Sequence, residues 1–283
     1  FSAQLLVGTA IYALSRIMRY RPNDCIAGCL VVHSSADVIR LGAGLALVSG
    51  LLAGVVPPAA AEIKSAGKKG LSTKVNGKVG GSCRSGVCKI TGGTSSGKNL
   101  FHRFKKFDTR GKIKGVEFNS LGSKNIFVGV TSLRGSFIDK TIKLNDSANL
   151  FWLSPGGIRL GKNASFINIP NLSLSTANVL RFGNGRFDVY RSKPADLSRL
   201  IHAPLPGSHG LDIDPISDSV GIAKRPGIFL DGIDVSIDES LYVDAMNDAL
   251  TVRSSDLSVN SPDDIGGSLT LTGKSVELKG STQ

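Results

Sequence analysis

Large aromatic side chains and histidine are scarce in this sequence. Aromatic residues make up 6% of the 283 residues, and the chain contains one Trp, two Met and four His. Glycine, in contrast, occurs 34 times. Few rings and many glycines favour numerous short strands that are joined by turns. Apolar residues still account for 41% of the chain, so it can build the core of one large domain or of two.

Acidic residues are nearly absent from one part of the chain. Residues 62–114 contain 14 Lys and Arg residues but only 2 acidic residues, whereas residues 115–283 contain 16 basic and 18 acidic residues. A basic stretch on a near-neutral body indicates attraction to an anionic surface. A merely solvated face would have the same composition, so the charge alone does not identify a partner.

The residue patterns of enzymes and metal sites are also missing. His102 has no nucleophile or carboxylate partner at motif spacing, and we interpret it as structural. No calcium-binding G-G-x-G-x-D repeat occurs. Seven aspartates supply carboxylates enough for calcium or for an acid/base pair, but no set of Lys, Arg and His accompanies them. They are Asp231, Asp234, Asp238, Asp244, Asp248, Asp263 and Asp264. We predict that the chain is not an enzyme and uses neither a cofactor nor a metal.

Residues 1–61 have the features of a secretory signal peptide with an amino-terminal extension. Residues 41–56 form an uncharged apolar run, which follows basic residues and precedes a Pro-Pro-Ala-Ala-Ala segment. Small residues after an apolar core predict cleavage between Ala61 and Glu62. A transmembrane anchor is the alternative, but an apolar run of 16 residues rich in Gly and Ala is short for a span.

Cys83 and Cys88 enclose four residues that include Gly86. This spacing can close a small hairpin through a disulfide, and an exported chain meets an oxidising compartment. Free thiols are the first alternative. A zinc site is the second, but it would need two further ligands, and neither His102 nor any neighbour has metal-ligand spacing.

The centre of the sequence, residues 147–161, reads SANLFWLSPGGIRLG. Four consecutive apolar residues, 150–153, predict a strand that is either covered on both faces or bent at its end. The Ser-Pro-Gly-Gly that follows predicts a tight corner, because Pro presets its φ and Gly accepts a positive φ. Residues 158–160 then continue as a second short strand. A strand, a corner and another strand are typical of a coil of a parallel β-helix.

Apolar-polar-apolar triplets recur near the carboxyl-terminal end with a constant offset. The triplets at 250–252 and 257–259 each recur 19 residues later. Two strands that share one offset predict a coil that returns to its starting face once per repeat. In this register four side chains point inward on one face, and they are Leu250, Val252, Leu269 and Leu271.

Three blocks of the sequence carry a resemblance to a known family. They read NLFHRFKKFD (99–108), NIFVGVTS (125–132) and ANLFWLSPGGIRLGKNASF (148–166). In content, order and spacing they resemble the amino-terminal secretion domain, or haemagglutination activity domain, of filamentous haemagglutinin-type exoproteins of two-partner secretion systems. The family has Asn-Pro-Asn followed by Gly or Leu at the corner, where this chain has Ser154-Pro155-Gly156-Gly157. Since Ser can replace Asn as the turn-initiating acceptor, we expect the corner to persist.

The resemblance implies an all-β fold, a right-handed parallel β-helix with an amino-terminal cap and extra-helical β-hairpins or loops. It also implies a secretion-targeting domain of a large exported adhesin, which an outer-membrane pore recognises and which nucleates β-helix folding outside the cell. Residues expected to serve in partner recognition and in the cap are Asn99, Leu100, Phe101, His102, Phe104, Asn149, Ser154, Pro155, Gly156 and Gly157.

The partners implied are an outer-membrane transporter of the two-partner secretion type and the general secretion machinery. Host or neighbouring-cell surfaces or glycans would be bound through a further carboxyl-terminal part, and no nucleic acid is expected. The implied localisation is secreted or on the surface of a Gram-negative-type bacterium, after passage through the periplasm. The alternative functions are a β-helix enzyme that acts on acidic polysaccharides and an autotransporter passenger, which shares the fold but lacks the three blocks.

The expected domain layout follows from these assignments. The chain begins at Phe1 rather than Met, and no terminating signal occurs in residues 280–283, so we expect a fragment of a longer protein. Five prolines predict a surface-loop excursion from the coil at residues 191–226. The expected units are the signal peptide (1–61) and the two-partner secretion domain (62–283), with a best-matched core (82–190), the excursion (191–226) and regular coils (227–283).

Overall fold

The computed structural model describes residues 61–214, 227–260 and 267–280. These residues are almost entirely β-structure, with one short α-helix, α1 (Pro194–Leu197), and two 3-10 turns, Gly67–Lys69 and Gly207–His209. Within the described ranges, no helix is long and apolar enough to cross a membrane. The predicted signal peptide lies outside the described residues except for Ala61, as does the second part of the predicted excursion.

The described residues form 25 strands. Their bounds are β1 (Ile63–Ser65), β2 (Thr73–Val75), β3 (Lys78–Val79), β4 (Ser82–Cys83), β5 (Gly86–Gly92), β6 (Thr94–Ser96), β7 (Asn99–Asp108), β8 (Ile113–Phe118), β9 (Asn125–Val130), β10 (Ser136–Ile138), β11 (Thr141–Leu144), β12 (Asn149–Leu153), β13 (Ile158–Leu160), β14 (Ser165–Ile167), β15 (Asn171–Ser175), β16 (Val179–Phe182), β17 (Gly185–Asp188), β18 (Leu211–Asp212), β19 (Ile228–Asp231), β20 (Asp234–Ile237), β21 (Ser240–Asp244), β22 (Ala249–Arg253), β23 (Asp256–Val259), β24 (Ser268–Thr272) and β25 (Ser275–Lys279).

Most strands from β5 onward stack in parallel along one axis and form three faces; the exceptions are the antiparallel strands β6, β16, β17 and β18. The first face contains the start of β7 and then β9, β12, β15, β21 and β24. The second contains the end of β7 and then β10, β13, β19, β22 and β25. The third contains β5, β8, β11 and β14, and further along β20 and β23. This confirms the predicted parallel β-helix.

The interior of the β-helix is filled by columns of apolar side chains that stand in register. One column of the first face runs through Ile126, Leu150, Leu172 and Leu241, all buried in one core cluster. Trp152 is fully buried in the same cluster, and its ring meets that of Phe107 edge-on at 4.5 Å between centroids. Stacking like residues on successive coils lets each coil share its core with its neighbours.

An antiparallel cap closes the end of the β-helix where β7 begins the stack. Strand β1 pairs antiparallel with both β4 and β7, and β6 also pairs antiparallel with β7. Strand β2 pairs antiparallel with β3 and β5. The cap inserts Ile63, Val75 and Ile90 into the interior cluster. It therefore removes both an open hydrophobic end and unpaired strand edges, which would otherwise promote association.

The excursion leaves the coil between β15 and β19, so it begins at Thr176 rather than at Arg191. It contains the antiparallel hairpin of β16 and β17, with β18 on the other side of β16. It is not merely a surface loop, because it packs on the outer side of the first face and buries Leu197 and Leu200 completely. A second hydrophobic cluster forms there, from Leu71, Phe101, Phe127, Leu153, Ala177, Leu180, Phe182, Phe187, Val189, Leu197, Leu200 and Leu211.

The predicted repeat of 19 residues is wrong. Successive asparagines at the start of the first-face strands stand 26, 24 and 22 residues apart. Leu269 pairs with Leu241, and Leu250 pairs with Val276, so Leu250 and Leu269 belong to different faces. The offset of 19 joined strands of two different faces, because all of them carry the same apolar-polar-apolar triplet.

The four side chains that were predicted to be inward on one face also differ in exposure. Leu250 and Val252 are buried, whereas Leu269 is 45% exposed. A charged side chain at position 269 would therefore not be fully buried in the described chain.

The difference in burial along one column can be tested with two leucines. Replacing Leu241, which is 2% exposed, with Ala should lower the free energy of unfolding by about 2–5 kcal/mol, because a cavity is left in the core. The matched change Leu269→Ala, one coil further, should cost less than about 1 kcal/mol. Urea unfolding measures both values. Equal losses for the two variants would contradict this difference in burial between Leu241 and Leu269.

Candidate recognition site

The residues of the first resemblance block lie on β7, and both faces of this strand are covered. Asn99, Leu100, Phe101, His102 and Phe104 are all fully buried. Leu100 and Phe104 face the interior, in register with Ile126 and Val130 of β9. Phe101 faces the other way, into the cluster formed with the excursion. Residues 99–104 are therefore buried on both sides of the strand, although the segment also contains Asn, His and Arg.

Outward-facing phenylalanines of three successive coils form a stack. Phe101, Phe127 and Phe151 stand in register, and neighbouring ring centroids are 4.8 Å apart with interplanar angles of 18° and 19°. This distance matches the spacing of adjacent strands, so the β-helix itself sets the stack. Phe187 of the excursion covers the first ring, at 5.4 Å from the centroid of Phe101. The stack thus connects the first and third resemblance blocks.

Asparagines at the start of the same strands form a hydrogen-bonded ladder. The side-chain amide of Asn125 donates to Asn99 Oδ1 at 2.9 Å, Asn149 donates to Asn125 at 3.0 Å, and Asn171 donates to Asn149 at 2.9 Å. At the cap end, Asn99 Nδ2 donates to the carbonyl oxygens of Leu200 and of residue 202, at 2.6 and 2.7 Å. Each buried amide is therefore satisfied by the next coil or by the excursion.

Arg103 connects the cap to the excursion. Its guanidinium donates to the carbonyl oxygens of Lys69 at 2.8 Å, Asp188 at 2.9 Å and Ser192 at 2.8 Å. Burial lowers the pKa of Arg103 to about 10, while the charge of Asp188 acts in the opposite direction. The guanidinium remains charged at neutral pH, and hydrogen bonds from a buried charge are stronger than neutral ones.

The Ser154-Pro155-Gly156-Gly157 corner is fully enclosed, and three buried groups form a directed hydrogen-bond chain there. Trp152 Nε1 donates to Ser136 Oγ at 3.0 Å, Ser136 Oγ donates to Ser154 Oγ at 2.9 Å, and Ser154 Oγ donates to the Gly157 carbonyl at 2.8 Å. A Cβ at Gly156 would lie 2.2 Å from the carbonyl oxygen of Ser132. Gly157 has a φ of +102°, so both glycines are required by the turn.

His102 is enclosed at the cap end of the interior. Thr73 Oγ1 accepts a hydrogen bond from the backbone N–H of Arg103 at 3.0 Å and lies 3.3 Å from His102 Nδ1. Nε2 has no hydrogen-bond partner in the part of the chain that the structure describes. Burial lowers the pKa of His102 to about 3, so the ring is neutral at physiological pH.

The remaining predicted sites lie in the cap. Cys83 and Cys88 are joined by a disulfide, with their Cα atoms 5.7 Å apart, and both are buried. The carboxylate of Glu62, next to the predicted cleavage site after Ala61, forms an ion pair with Arg84 at 3.0 Å. Among the described residues, no three His, Cys, Asp or Glu side chains are grouped in a way that could hold a metal ion.

Several of the residues that connect these sites are absent from the sequence-based set. Asn125 and Asn171 complete the asparagine ladder, and Arg103 connects the cap with the excursion. The signal for the ladder is visible in the sequence, since NLF, NIF, NLF and NLS each begin a strand of the first face. The role of Arg103 has no comparable local signal, because its partners Asp188 and Ser192 lie 85 and 89 residues away.

The hydrogen-bond chain at the corner predicts that one small substitution will lower the stability of the domain. Ser154→Ala removes the acceptor of the Ser136 hydroxyl in a buried site, and the free energy of unfolding should fall by about 1–3 kcal/mol. Ser95→Ala, on the exposed surface of the cap, should have almost no effect. Denaturant unfolding with tryptophan fluorescence reports the difference, and it observes Trp152 directly. An equal loss of unfolding free energy in Ser154→Ala and Ser95→Ala would contradict the buried chain of hydrogen bonds.

The buried histidine predicts a pH dependence of stability. Because the pKa is about 6.5 in the unfolded chain and about 3 in the fold, the unfolded state binds the additional proton between these values. Stability should be constant with respect to this group above pH 6.5 and should fall by about 2 kcal/mol between pH 6.5 and 5. His102→Gln should reduce this slope, whereas His202→Gln, at an exposed position, should retain it. If the slope of stability against pH is unchanged in His102→Gln, His102 is not the group responsible for it.

Comparison with known proteins identifies the family of the chain. The family model of the TPS secretion domain matches residues 70–282. The solved structure "Crystal structure of filamentous hemagglutinin secretion domain" is 16% identical, with a TM-score of 0.32, over 77% of this chain and 99% of that one. None of the curated proteins is similar enough to match. Because the family model covers most of the chain, the chain belongs to the family of two-partner secretion (TPS) domains.

Proposed function

We propose that this domain is the export signal of a larger surface or secreted protein, and that an outer-membrane pore of the two-partner type recognises it before it folds. The observation that carries the proposal is the complete burial of Asn99, Leu100, Phe101 and Phe104. A folded domain cannot present these side chains to a partner. A partner can therefore recognise the first resemblance block only while the chain is extended.

An extended chain offers two features to such a pore. The apolar block on β7 can pair with the edge of a partner sheet through its backbone and insert alternate side chains into pockets. The basic stretch, residues 62–114, increases the rate of encounter with an acidic surface. In the folded domain these residues become the cap and the first coil, so the same segment serves first as a signal and later as the end of the β-helix.

Folding outside the cell makes export proceed in one direction, because the folded part cannot return through the pore. Each coil buries its apolar side chains on the coil before it, so folding can proceed coil by coil as the chain emerges. The hydrogen bonds from Asn99 to Leu200 and from Arg103 to Ser192 form only after the excursion has emerged. They span 101 and 89 residues and hold the excursion on the cap, which opposes return of the folded part through a pore.

The proposal also covers the amino-terminal residues 1–61 and the route of the protein out of the cell. Residues 1–61 would direct the chain to the general secretion machinery and would be removed after Ala61, leaving Glu62 first. The domain would then pass through the periplasm of a Gram-negative-type bacterium. Adhesion to host or neighbouring-cell surfaces or glycans would belong to the protein beyond this chain.

An enzymatic function is not favoured. The TPS domain family is a family of secretion domains, not of enzymes. Asp244, one of the acidic residues considered from the sequence, is used structurally: it accepts hydrogen bonds from the backbone N–H of Met246 at 2.7 Å and from the Tyr242 hydroxyl at 3.1 Å.

The test is export of the chain in cells with and without a cognate pore protein. Replacing Leu100, Phe101 and Phe104 with Ser should leave the chain in the periplasm, because the recognised apolar block is lost. The amount of chain outside the cell and in the periplasm is measured by quantitative immunoblot. Without the pore, the unaltered chain should also remain in the periplasm.

A matched variant separates recognition from folding. Leu241, Val243 and Leu250 are equally buried but lie in later coils. Their replacement with Ser should weaken the fold to a similar extent and still allow engagement of the pore, seen as binding of the unfolded chain to the periplasmic part of the pore protein. If both triple variants bind that part equally, or if export needs no pore, the recognition role is wrong.

A further inference from the structure

A basic groove runs along the outer side of the second face. It consists of two adjoining depressions of about 730 and 580 Å³, which share Phe137 and Arg159. The floor is formed by strands β10, β13 and β19, next to the end of β7. Two residues of the sites described above also line the groove, namely Glu62, which pairs with Arg84, and Ser136, which takes part in the hydrogen bonds of the corner.

The groove is strongly cationic. Its lining contains eight basic side chains and three acidic ones. One of the acidic groups, Asp108, is already paired with Arg110 at 2.7 Å, and this hydrogen bond raises the pKa of Arg110. Within the described residues, the exposed Lys105, Arg134 and Arg159 form no ion pair. A groove lined by one sign of charge concentrates ions of the opposite sign.

Aromatic rings hold two of the guanidinium groups in place. Phe137, Arg159 and Phe229 stand in register on three successive coils. The guanidinium of Arg110 lies over the ring of Phe137 at 4.1 Å, and that of Arg159 lies over the ring of Phe229 at 5.0 Å. Arg110 already uses its planar fork of N–H groups on Asp108, whereas the fork of Arg159 remains available for carboxylate or sulfate oxygens.

The geometry repeats along the axis of the β-helix. Adjacent coils are separated by about 4.8 Å, so charged and aromatic side chains recur at a fixed rise along the groove. The backbone groups of the floor are already paired between parallel strands, so a peptide cannot add a strand there. Recognition must therefore use side chains, and a linear polymer with periodic negative charge fits such a surface.

We propose that this groove binds a linear acidic polysaccharide, whose carboxylate or sulfate groups pair with Arg134 and Arg159. Bases of single-stranded nucleic acid bind mainly by stacking on free aromatic faces. In this groove, guanidinium groups already lie over the two rings, so the surface offers ion-pairing forks in preference to stacking platforms. The site belongs to the folded domain and does not depend on recognition of the unfolded chain by a pore.

The test is titration of the full chain with heparin and with polygalacturonate, which separate sulfate from carboxylate as the source of charge. Binding is measured by calorimetry. At least one polymer should bind, with an affinity that falls as salt rises, whereas neutral dextran should not bind. Absence of binding to both acidic polymers, or equal binding of dextran, would overturn the proposal.

Matched charge variants locate the site. Arg134→Glu combined with Arg159→Glu should weaken binding at least about tenfold, because attraction is replaced by repulsion within the groove. Lys114→Glu combined with Lys143→Glu changes the net charge equally on the third face, at exposed positions, and should change affinity less than about twofold. Thermal melting verifies that each variant folds. Equal loss in both double variants would mean attraction to net charge alone.

Two further measurements test the chemistry of the groove. Phe137→Ala with Phe229→Ala leaves the net charge unchanged but removes the supports of two guanidinium groups, and affinity should fall by about three- to tenfold. A single-stranded oligodeoxynucleotide of matched charge should bind more weakly than the better polysaccharide. If it binds more tightly and displaces the polysaccharide, the occupant is a nucleic acid and the assignment is wrong. Unchanged affinity in the double phenylalanine variant would also contradict it.

Discussion

Burial of both sides of the first parallel face is the constraint on which the rest of the structure depends. Its inward side fills the β-helix with Ile126, Leu150 and Trp152, and its outward side carries the phenylalanine stack. A β-helix coil normally presents a polar outer side to water. Here the outer side is apolar over three coils, so the chain must cover it, and the excursion does so with its hairpin and Leu197 and Leu200.

The cap is joined to this arrangement by polar groups. Asn99 and Arg103 lie on the outward side of β7, between the cap and the excursion, and each donates to backbone carbonyls of the excursion. Because an unsatisfied buried amide or guanidinium is costly, these contacts specify one position of the excursion rather than any apolar docking. The first coil, the cap and the excursion thus form one cooperative unit at the end of an otherwise modular stack.

The second face has the opposite character. Its outer side carries the basic groove, in which Phe137, Arg159 and Phe229 stand in register. The excursion covers the outer side of the first face, whereas charged side chains line the outer side of the second. Both properties arise from the same parallel register, which repeats every side-chain position at a fixed rise.

The sequence by itself determined the local elements of this protein. Strands β12 and β13 and the corner between them follow from an apolar run and from Ser-Pro-Gly-Gly, because strand alternation and turn chemistry are properties of neighbouring residues. The burial of residues 150–153 on both sides was one of the two possibilities that the run allowed. Tertiary structure decided the lengths of the coils, because similar triplets occupy different faces. Only strand pairing, such as that of Leu241 with Leu269, shows which triplets lie on successive coils of one face. It also decided the roles of His102 and Arg103, because their burial depends on a cap and an excursion that are distant in the chain. Long-range packing has no local signature in the sequence. For this reason the second hydrophobic cluster, between the first face and the excursion, could not be predicted from the sequence alone.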